Sequence, residues 1–244
     1  MQCEAVVVVR RATPRDWAAR AALLRRGLAS HHLDAFVFFF LQELTLQACV
    51  LCGAVLFIFC GASLRAVALV LPAAAAVVAA AVLIAHYALA DKHAQSLRGE
   101  SAGWVAEYRG PLPAAGPPPA ARVLAPGAGG GDEPGGPVHK RLVGTVSVSE
   151  CWGPRASGWL HRLAVEAAWR RRGVARALVA ASRAHAAAAG LQALEAATSQ
   201  LQPAARALLH AAGWEMRGTY HRPVLGAALT LPMAQLGLDL PCCA

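Results

Sequence analysis

The stretch Arg170-Arg171-Arg172-Gly173-Val174-Ala175 decides the fold, because it joins a predicted strand to a predicted helix. Residues 159–165, WLHRLAV, have the aliphatic and β-branched content of a buried strand. Residues 175–189 are rich in Ala and contain no helix breaker, which predicts a helix that ends at Gly190. A strand that enters a helix through a glycine turn presents free N–H groups at the positive end of the helix dipole. The turn is therefore predicted to bind a diphosphate, although a solvated basic helix cap would show the same residues.

Three motifs follow one another along the chain. Residues 7–16 read as a short strand and a helix cap, and residues 163–175 contain Leu-Ala-Val followed by Arg-x-x-Gly-x-Ala. Residues 202–214 have the form Gln-x-x-Ala-x-x-Leu-Leu-x-x-x-Gly-Trp. In this order the motifs resemble the first strand and helix, the acetyl-CoA-binding motif and the Asn-x-x-Ala-x-x-Leu-Tyr-x-x-x-Gly-Phe segment of the GNAT acetyltransferase superfamily. The resemblance covers most of the chain outside a hydrophobic insertion and a loop rich in Gly and Pro.

The resemblance implies an α/β fold, in which helices flank a mixed central sheet, and acetyl-CoA as the acetyl donor. Backbone groups of residues 163–165 would orient the pantetheine arm, and N–H groups from Arg171 to Arg176 would hold the diphosphate. Gln202 stands where the family has Asn, and its amide can make the same kind of hydrogen bond. The expected cofactor-binding residues are Leu163, Ala164, Val165, Arg170, Arg171, Arg172, Gly173, Val174, Ala175, Arg176 and Gln202.

Acetyl transfer to an amine requires a base that removes a proton from the amine. Glu195 lies on the predicted strand after the diphosphate-binding helix, and Glu166 follows the central strand. Carboxylates near these places serve as bases in parts of the family, often through a water molecule. The closest base register is occupied by Ala197, and His161 is a third candidate. Each of these side chains could instead be a strand-end charge or a structural histidine.

The transfer also requires an acid that protonates the departing thiolate. Leu209 occupies the position of the family's tyrosine, and leucine cannot donate a proton. His210 is next in sequence but would point about 100° away around the helix. Tyr220 could approach from the following strand. The expected catalytic residues are Glu195, Tyr220 and His210.

An apolar insertion separates the first helix from the rest of the predicted domain. The apolar fraction of 57% exceeds the soluble average of about 45–50%. Residues 44–64 and 66–90 carry no Asp, Glu, Lys or Arg, and Arg65 lies between them. A bilayer crossing needs about 20 apolar residues. The sequence therefore predicts a transmembrane helical hairpin, and the resemblance points to the membrane-anchored camello-like branch of the family. The alternative is a buried helical pair in a soluble protein.

The predicted organisation has three parts, of which the two outer parts form one domain. Residues 1–34 supply the first strand and helices, residues 35–92 form the hairpin, and residues 93–244 complete the domain. Both outer parts must lie in one compartment, so the number of crossings is two, or none if the hairpin is re-entrant. Basic residues flank the outer ends of the hairpin, which predicts a multi-pass protein whose catalytic domain faces the cytosol. Residues 1–30 lack the apolar core of a signal peptide, and the endoplasmic reticulum is the expected membrane.

Further elements are expected on either side of this insertion. Thr13 is predicted to cap a helix that runs to about Ser30, with Arg15, Arg20, Arg25 and Arg26 on its polar face. A loop dominated by Gly and Pro, residues 110–138, is predicted to be disordered. The remaining predicted elements are strands at 104–107, 142–148, 191–198 and 224–233 and a helix at 203–213.

The formal charge of +9 suits anionic partners. No nucleic-acid-binding motif accompanies this charge, so no nucleic acid is expected. Cys49 and Cys52 have a C-x-x-C spacing but no further ligands nearby, so no metal is expected. The expected partners are an amine acceptor, either a protein lysine or a small amino-acid conjugate, and the lipid bilayer. Two alternatives remain: an acetyl-CoA-binding membrane protein with weak or no activity, and a small membrane protein whose basic segments contact anionic lipid.

Overall fold

Eight strands form one mixed sheet in the part of the chain that the structure describes. The computed structural model describes residues 5–111, 119–124, 139–151, 156–225 and 229–241. The strands are β1 (Val6–Arg11), β2 (Ala102–Gly110), β3 (Arg122–Leu124), β4 (His139–Cys151), β5 (Ser157–Val165), β6 (Ala193–Ser199), β7 (Glu215–Leu225) and β8 (Leu229–Asp239). Their order is β3-β1-β2-β4-β5-β6-β8-β7, in which β1/β3 and β5/β6 are parallel and the other neighbours antiparallel. The predicted α/β class and the single sheet are confirmed.

Seven α-helices accompany this sheet in the described ranges. They are α1 (Trp17–Ala29), α2 (His32–Phe40), α3 (Glu43–Ile58), α4 (Leu64–Ala68), α5 (Val70–Gln95), α6 (Val174–Ala188) and α7 (Pro203–Ala211). A 3₁₀ turn, Pro14–Asp16, leads into α1 as the Thr13 cap predicts. The Thr13 N–H donates to the Asp16 carboxylate at 2.8 Å, and the Asp16 N–H donates to the Thr13 carbonyl at 2.9 Å. This reciprocal pair satisfies N–H groups that the first turn would leave without a partner.

The two faces of the sheet differ in polarity. One face carries the apolar core, to which α6 contributes Leu178 and Val179 and the sheet contributes Leu160, Leu194 and Leu236. The opposite face is covered by α1, and its buried positions on β4 include Thr145 and Ser147. The polar face therefore lies between the sheet and the helices that precede β2.

The helices of the insertion extend away from the sheet. Ala35 and Phe39 of α2 pack with Val82 of α5, and this cluster contacts Leu201 and Leu231 of the α/β domain. Beyond this contact the helices expose large apolar side chains, including Val50, Leu51, Phe57, Ile58, Leu71, Val77 and Ile84.

One helix of the insertion, Leu64–Gln95, comprising α4 and α5, is long and apolar enough to cross a membrane. Only 6% of its most apolar window is buried inside the protein. α3 passes the same test only together with the helical segment Pro14–Phe40, from which it is bent by 56°. One possible spanning helix is thus found within the described residues, and the predicted hairpin of two spans is not confirmed.

The expectation that all of residues 110–138 form a disordered loop is wrong at β3. Val123 and Leu124 lie opposite Val7 and Val8 in a parallel pairing that extends the sheet beyond β1. The physical reason is that β1 would otherwise have an unpaired edge, which the aliphatic residues Val123 and Leu124 cover. The rest of the predicted loop, apart from residues 110, 111 and 119–121, lies outside the described residues.

Candidate functional site

β5 and β6 are paired only over their first halves. Residues 157–160 of β5 lie opposite residues 193–196 of β6, and no pairing between the two strands continues beyond Leu160. Further along, β5 remains paired with β4, since Ala164 lies opposite Thr145, and β6 remains paired with β8. The two parallel strands therefore diverge toward their carboxyl ends. The β6-facing backbone edge of residues 161–165 has no strand partner among the described residues and is available to an extended ligand.

The turn that follows β5 places free N–H groups beside this edge. Arg171 and Gly173 both have left-handed backbones, with φ of 64° and 82°. Gly173 precedes α6, and the first backbone bond of the helix runs from the Ala177 N–H to the Gly173 carbonyl at 3.0 Å. The N–H groups of residues 174–176 consequently have no partner within the helix. A Cβ added to Gly173 would meet no atom within 4 Å, so an anion can approach the turn closely.

The arginines of the turn have different partners. Arg170 donates from Nε to the Val165 carbonyl at 3.2 Å and from Nη2 to Ser30 Oγ at 3.0 Å. Arg172 donates to the Pro119 carbonyl at 2.8 Å and lies over the Trp169 ring. Both side chains therefore hold the turn in place.

The side chains of Arg171 and Arg176 are exposed and remain available to phosphate. Gln202 precedes α7, just beyond the carboxyl end of β6. Its N–H donates to the Ser199 carbonyl at 3.0 Å, and its side chain makes no capping bond. Because carboxyl ends of parallel strands meet at one edge of a sheet, Gln202 lies at the same edge as Val165. The structure thus brings the predicted cofactor-binding residues to the diverging ends of two strands.

The three predicted catalytic residues do not converge. Glu195 lies opposite Trp159, just before the strands diverge, and its carboxylate accepts from Gln235 at 3.1 Å. Tyr220 of β7 is 42% exposed. It lies opposite Met233 of β8, which in turn lies opposite Ser199 of β6. It is therefore separated from Glu195 by about 13 Å along the strand and about 10 Å across two strands.

His210 and Leu209 both lie on α7, which follows β6 in the chain. The His210 ring is 3.1 Å from the Trp214 carbonyl, a contact that closes the end of α7. Leu209 is 2% exposed within the apolar core, so the tyrosine position of the family packs against the sheet here. Glu166 is engaged by Arg141 and lies 3.5 Å from Arg26.

His161 lies on the polar face, next to the open edge of β5. Its Nε2 is 2.8 Å from Ser149 Oγ. Burial, reinforced by the charge of Arg162, lowers the pKa of His161 to about 4. The ring is therefore neutral near pH 7, and its lowered pKa makes it a weak base there.

Sequence reasoning missed a buried polar cluster on the same face. Arg20 was expected to be solvated on the polar side of α1, but it is 0% exposed, so that expectation is wrong. It donates to Thr145 and Ser147 and to both carboxylate oxygens of Glu100. Burial alone would raise the pKa of Glu100, but the hydrogen bonds that Glu100 makes with Arg20 and with Ser147 hold it below its ordinary value. The burial of Arg20 is indicated in the sequence by its helical spacing from Leu23, which puts both residues on one stripe of α1.

Arg162 completes this cluster from β5. The pairing of β4 with β5 shifts register between Thr145 and Ser147, so Arg162 lies in a bulge with φ of 55°. A left-handed backbone costs a residue other than glycine about 1–2 kcal/mol. Such strain is retained where the surrounding structure fixes the residue, often at functional sites.

Residues 130–214 match the model of the acetyltransferase (GNAT) family, a match that spans less than half of the chain. Among curated proteins, none matches this sequence significantly. Within the described ranges, no group of three or more His, Cys, Asp or Glu is placed to hold a metal ion.

Three solved structures illustrate the likeness of the fold. A candidate phosphinothricin N-acetyltransferase is 14% identical, covering 96% of this chain and 99% of that chain with a TM-score of 0.51. The IAA acetyltransferase of Bacillus cereus ATCC 14579 is 14% identical, covering 62% and 84% with a TM-score of 0.40. The ribosomal-protein-S18-alanine N-acetyltransferase of Escherichia coli is 15% identical, covering 43% of this chain and 65% of that chain with a TM-score of 0.37. The first likeness shows a shared fold, and the chain spans less than two thirds of the Escherichia coli enzyme.

Proposed function

We propose that this chain, an acyltransferase with a GNAT acetyltransferase domain, transfers an acetyl group from acetyl-CoA to an amine at a membrane. The observation that supports it best is the unpaired edge of β5 beside the free N–H groups at the start of α6. An extended arm with amide groups can pair along that edge, and a diphosphate fits the adjacent turn. Acetyl-CoA combines these two chemical groups and supplies the activated acetyl carbon.

The residues of this chain would position the two reactants. The reaction joins the acceptor nitrogen to the acetyl carbon and breaks the carbon–sulfur bond, so the nitrogen loses a proton and the sulfur gains one. Backbone groups of residues 163–165 would fix the thioester, and the N–H groups of residues 174–176 with the side chains of Arg171 and Arg176 would bind the diphosphate. Gln202 would contact the pantetheine arm from the start of α7.

We assign proton transfer to side chains near the point where β5 and β6 diverge. Glu195 is the predicted base nearest to this point, and it would act on the amine through a water molecule. His161 is the second candidate by position, since it lies on the same face as Glu195, although its lowered pKa makes it a weak base. Tyr220 and His210 stay candidates for protonating the thiolate. Because neither lies near Glu195, either the bound acceptor would have to relay the proton or the β7–β8 hairpin would have to move toward the thiolate.

Membrane attachment is supported by the exposed apolar surface of the insertion. The helix Leu64–Gln95 has little protein around it, and a lipid bilayer would cover its apolar side chains. We assign the acceptor to the class of protein lysines and small amino-acid conjugates, and the expected location is the cytosolic face of the endoplasmic reticulum.

A second function is favoured by Leu209. Because the tyrosine position holds a buried leucine, the chain could bind acetyl-CoA with weak or no turnover. Titration calorimetry with acetyl-CoA tests both functions: binding that Gly173→Trp abolishes supports either, and absence of binding contradicts both. Turnover of labelled acetyl-CoA with a mixed amine library then separates them. Acetylated products that are lost in Glu195→Gln support the enzyme, whereas binding without products supports the second function.

A further inference from the structure

The guanidinium of Arg162 is buried without a full set of partners. Its side chain is 7% exposed. Nη2 donates to Ser96 Oγ at 2.7 Å, while Nε and Nη1 have no hydrogen-bond acceptor among the described residues. Nη1 is 3.7 Å from Glu100 Oε2, which is within ion-pair range but too long for a hydrogen bond. A guanidinium has five N–H donors and stays protonated, so it needs more acceptors than this environment supplies.

The charge of this cluster is also unbalanced. Arg20 and Arg162 contribute two positive charges, and Glu100 is the one carboxylate that reaches them within the described part of the chain. Both oxygens of Glu100 already accept from Arg20. Burying a charge without a counter-charge is unfavourable, so the cluster is suited to a further anion at the free side of Arg162.

The position of Arg162 indicates which anion this is. The residue precedes Leu163, at the start of the open backbone edge, and its guanidinium lies with Ser96 and Glu100 on the face covered by α1. The turn before α6, where a diphosphate fits, belongs to the segment that packs on the other face. With the diphosphate held on that other face, the acceptor amine would reach the thioester from the polar face, on which Arg162 lies.

Resting on the proposed function, we propose that Arg162 is the centre of an anion site that binds a carboxylate of the acceptor. The acceptor is then an amine that carries an acidic group. Its two carboxylate oxygens accept from one of the unpartnered donors of Arg162, Nε–H or Nη1–H, and from the second N–H of the neighbouring Nη2. Such a two-point contact is the usual arrangement between arginine and carboxylate. It also fixes the direction from which the amine reaches the thioester.

The test compares matched acceptors with and without the carboxylate: phenylalanine with phenethylamine, tyrosine with tyramine, and lysine with cadaverine. We expect Arg162→Met to lower kcat/KM for the amino acid by roughly 10-fold to 100-fold, since a charged hydrogen-bonded contact is lost. The decarboxylated partner should change less than about 3-fold. Arg162→Lys should give an intermediate loss, because it retains the charge without the fork. Arg217→Met removes an exposed arginine of β7 and is the matched control. Equal losses for both members of a pair would overturn the proposal.

A binding measurement keeps the proposal testable if turnover is absent. With CoA present, N-acetylphenylalanine should raise the thermal midpoint of the wild-type protein but not of Arg162→Met, and N-acetylphenethylamine should raise neither. No shift in the wild type overturns the anion site, whatever the turnover shows. Protection by phosphatidylglycerol vesicles alone, lost in Arg162→Met, also overturns it, since the anion is then a lipid phosphate. Failure of the protein to bind CoA contradicts the proposed function separately.

Discussion

Arg20 and Glu100 form a buried ion pair between residues that stand on either side of the apolar insertion. Nη2 of Arg20 donates to Oε2 of Glu100 at 2.8 Å, and Nη1 donates to the other oxygen. The pair links α1 to the segment that enters β2, so it fixes the polar face of the sheet across the inserted helices.

Removal of one partner of this pair should be strongly destabilising. We expect Glu100→Gln to reduce the free energy of unfolding by about 3–5 kcal/mol, because the Arg20 charge stays buried without its carboxylate. Urea unfolding followed by fluorescence in detergent measures the change. Asp239→Asn, which breaks an exposed pair with Arg217, is the control and should have little effect. Similar losses in the two variants would contradict the buried pair.

Gly173 and Gly190 provide a matched pair that tests the proposed diphosphate site. Both have left-handed backbones, with φ of 82° and 72°, and an added Cβ meets no atom within 4 Å at either position. Alanine should therefore destabilise the protein by about 1 kcal/mol at each site. Only Gly173→Ala should also weaken acetyl-CoA binding, measured by titration calorimetry, because only its Cβ faces the turn before α6. Equal affinities of the two variants would show that the turn does not hold the diphosphate.

The depressed pKa of His161 predicts a dependence of stability on pH. Its pKa is about 4 in the folded protein and 6.5 ordinarily. Between these values the unfolded chain binds a proton that the folded chain does not, so stability falls as the pH is lowered from about 6.5 toward 4. His161→Gln should reduce the slope by up to about 1.4 kcal/mol per pH unit in this window. Urea midpoints measured between pH 7 and pH 4 give the slope, and an unchanged slope would contradict the buried neutral ring.

Exposed apolar residues of α5 should decide membrane association. We expect Val77→Lys together with Ile84→Lys to shift the protein from the membrane pellet to the supernatant after alkaline carbonate extraction. Each lysine costs about 2.5–3.5 kcal/mol in the bilayer centre. Val224→Lys, at an exposed apolar residue of β7, is the control and should remain in the pellet. Retention of the double variant in the pellet would show that this helix is not in lipid.

The turn between β5 and α6 could be predicted because its signals are local. Gly173, the arginines around it and the alanine-rich helix follow one another in sequence, and the strand before them has its own composition. The same holds for Gly190 and for the Thr13 cap, whose partners lie within a few residues. Short-range hydrogen bonds and backbone preferences determine such features, and both can be inferred from neighbouring residues in a single sequence.

The polar cluster could not be predicted because its partners are distant in sequence. The burial of Arg20 depends on Glu100, which lies beyond the insertion, and on hydroxyls of β4. The position of Tyr220 relative to Glu195 follows from the register of two intervening strand pairs, which no local pattern encodes. β3 was missed because three residues are too few to give an alternating pattern within a segment rich in Gly and Pro.

The chain leaves the sheet after β1 and re-enters it at β2. These two places are adjacent, since the Ala12 N–H donates to the Gly103 carbonyl at 2.8 Å. During synthesis, β1 is made before the helices of the insertion but must wait for β2 to follow them. α3, α4 and α5 therefore precede β2 along the chain, and the sheet can close only after they have been synthesised. Because the entropic cost of closing a loop grows only slowly with its length, a shorter or longer excursion could replace them without altering the strand order.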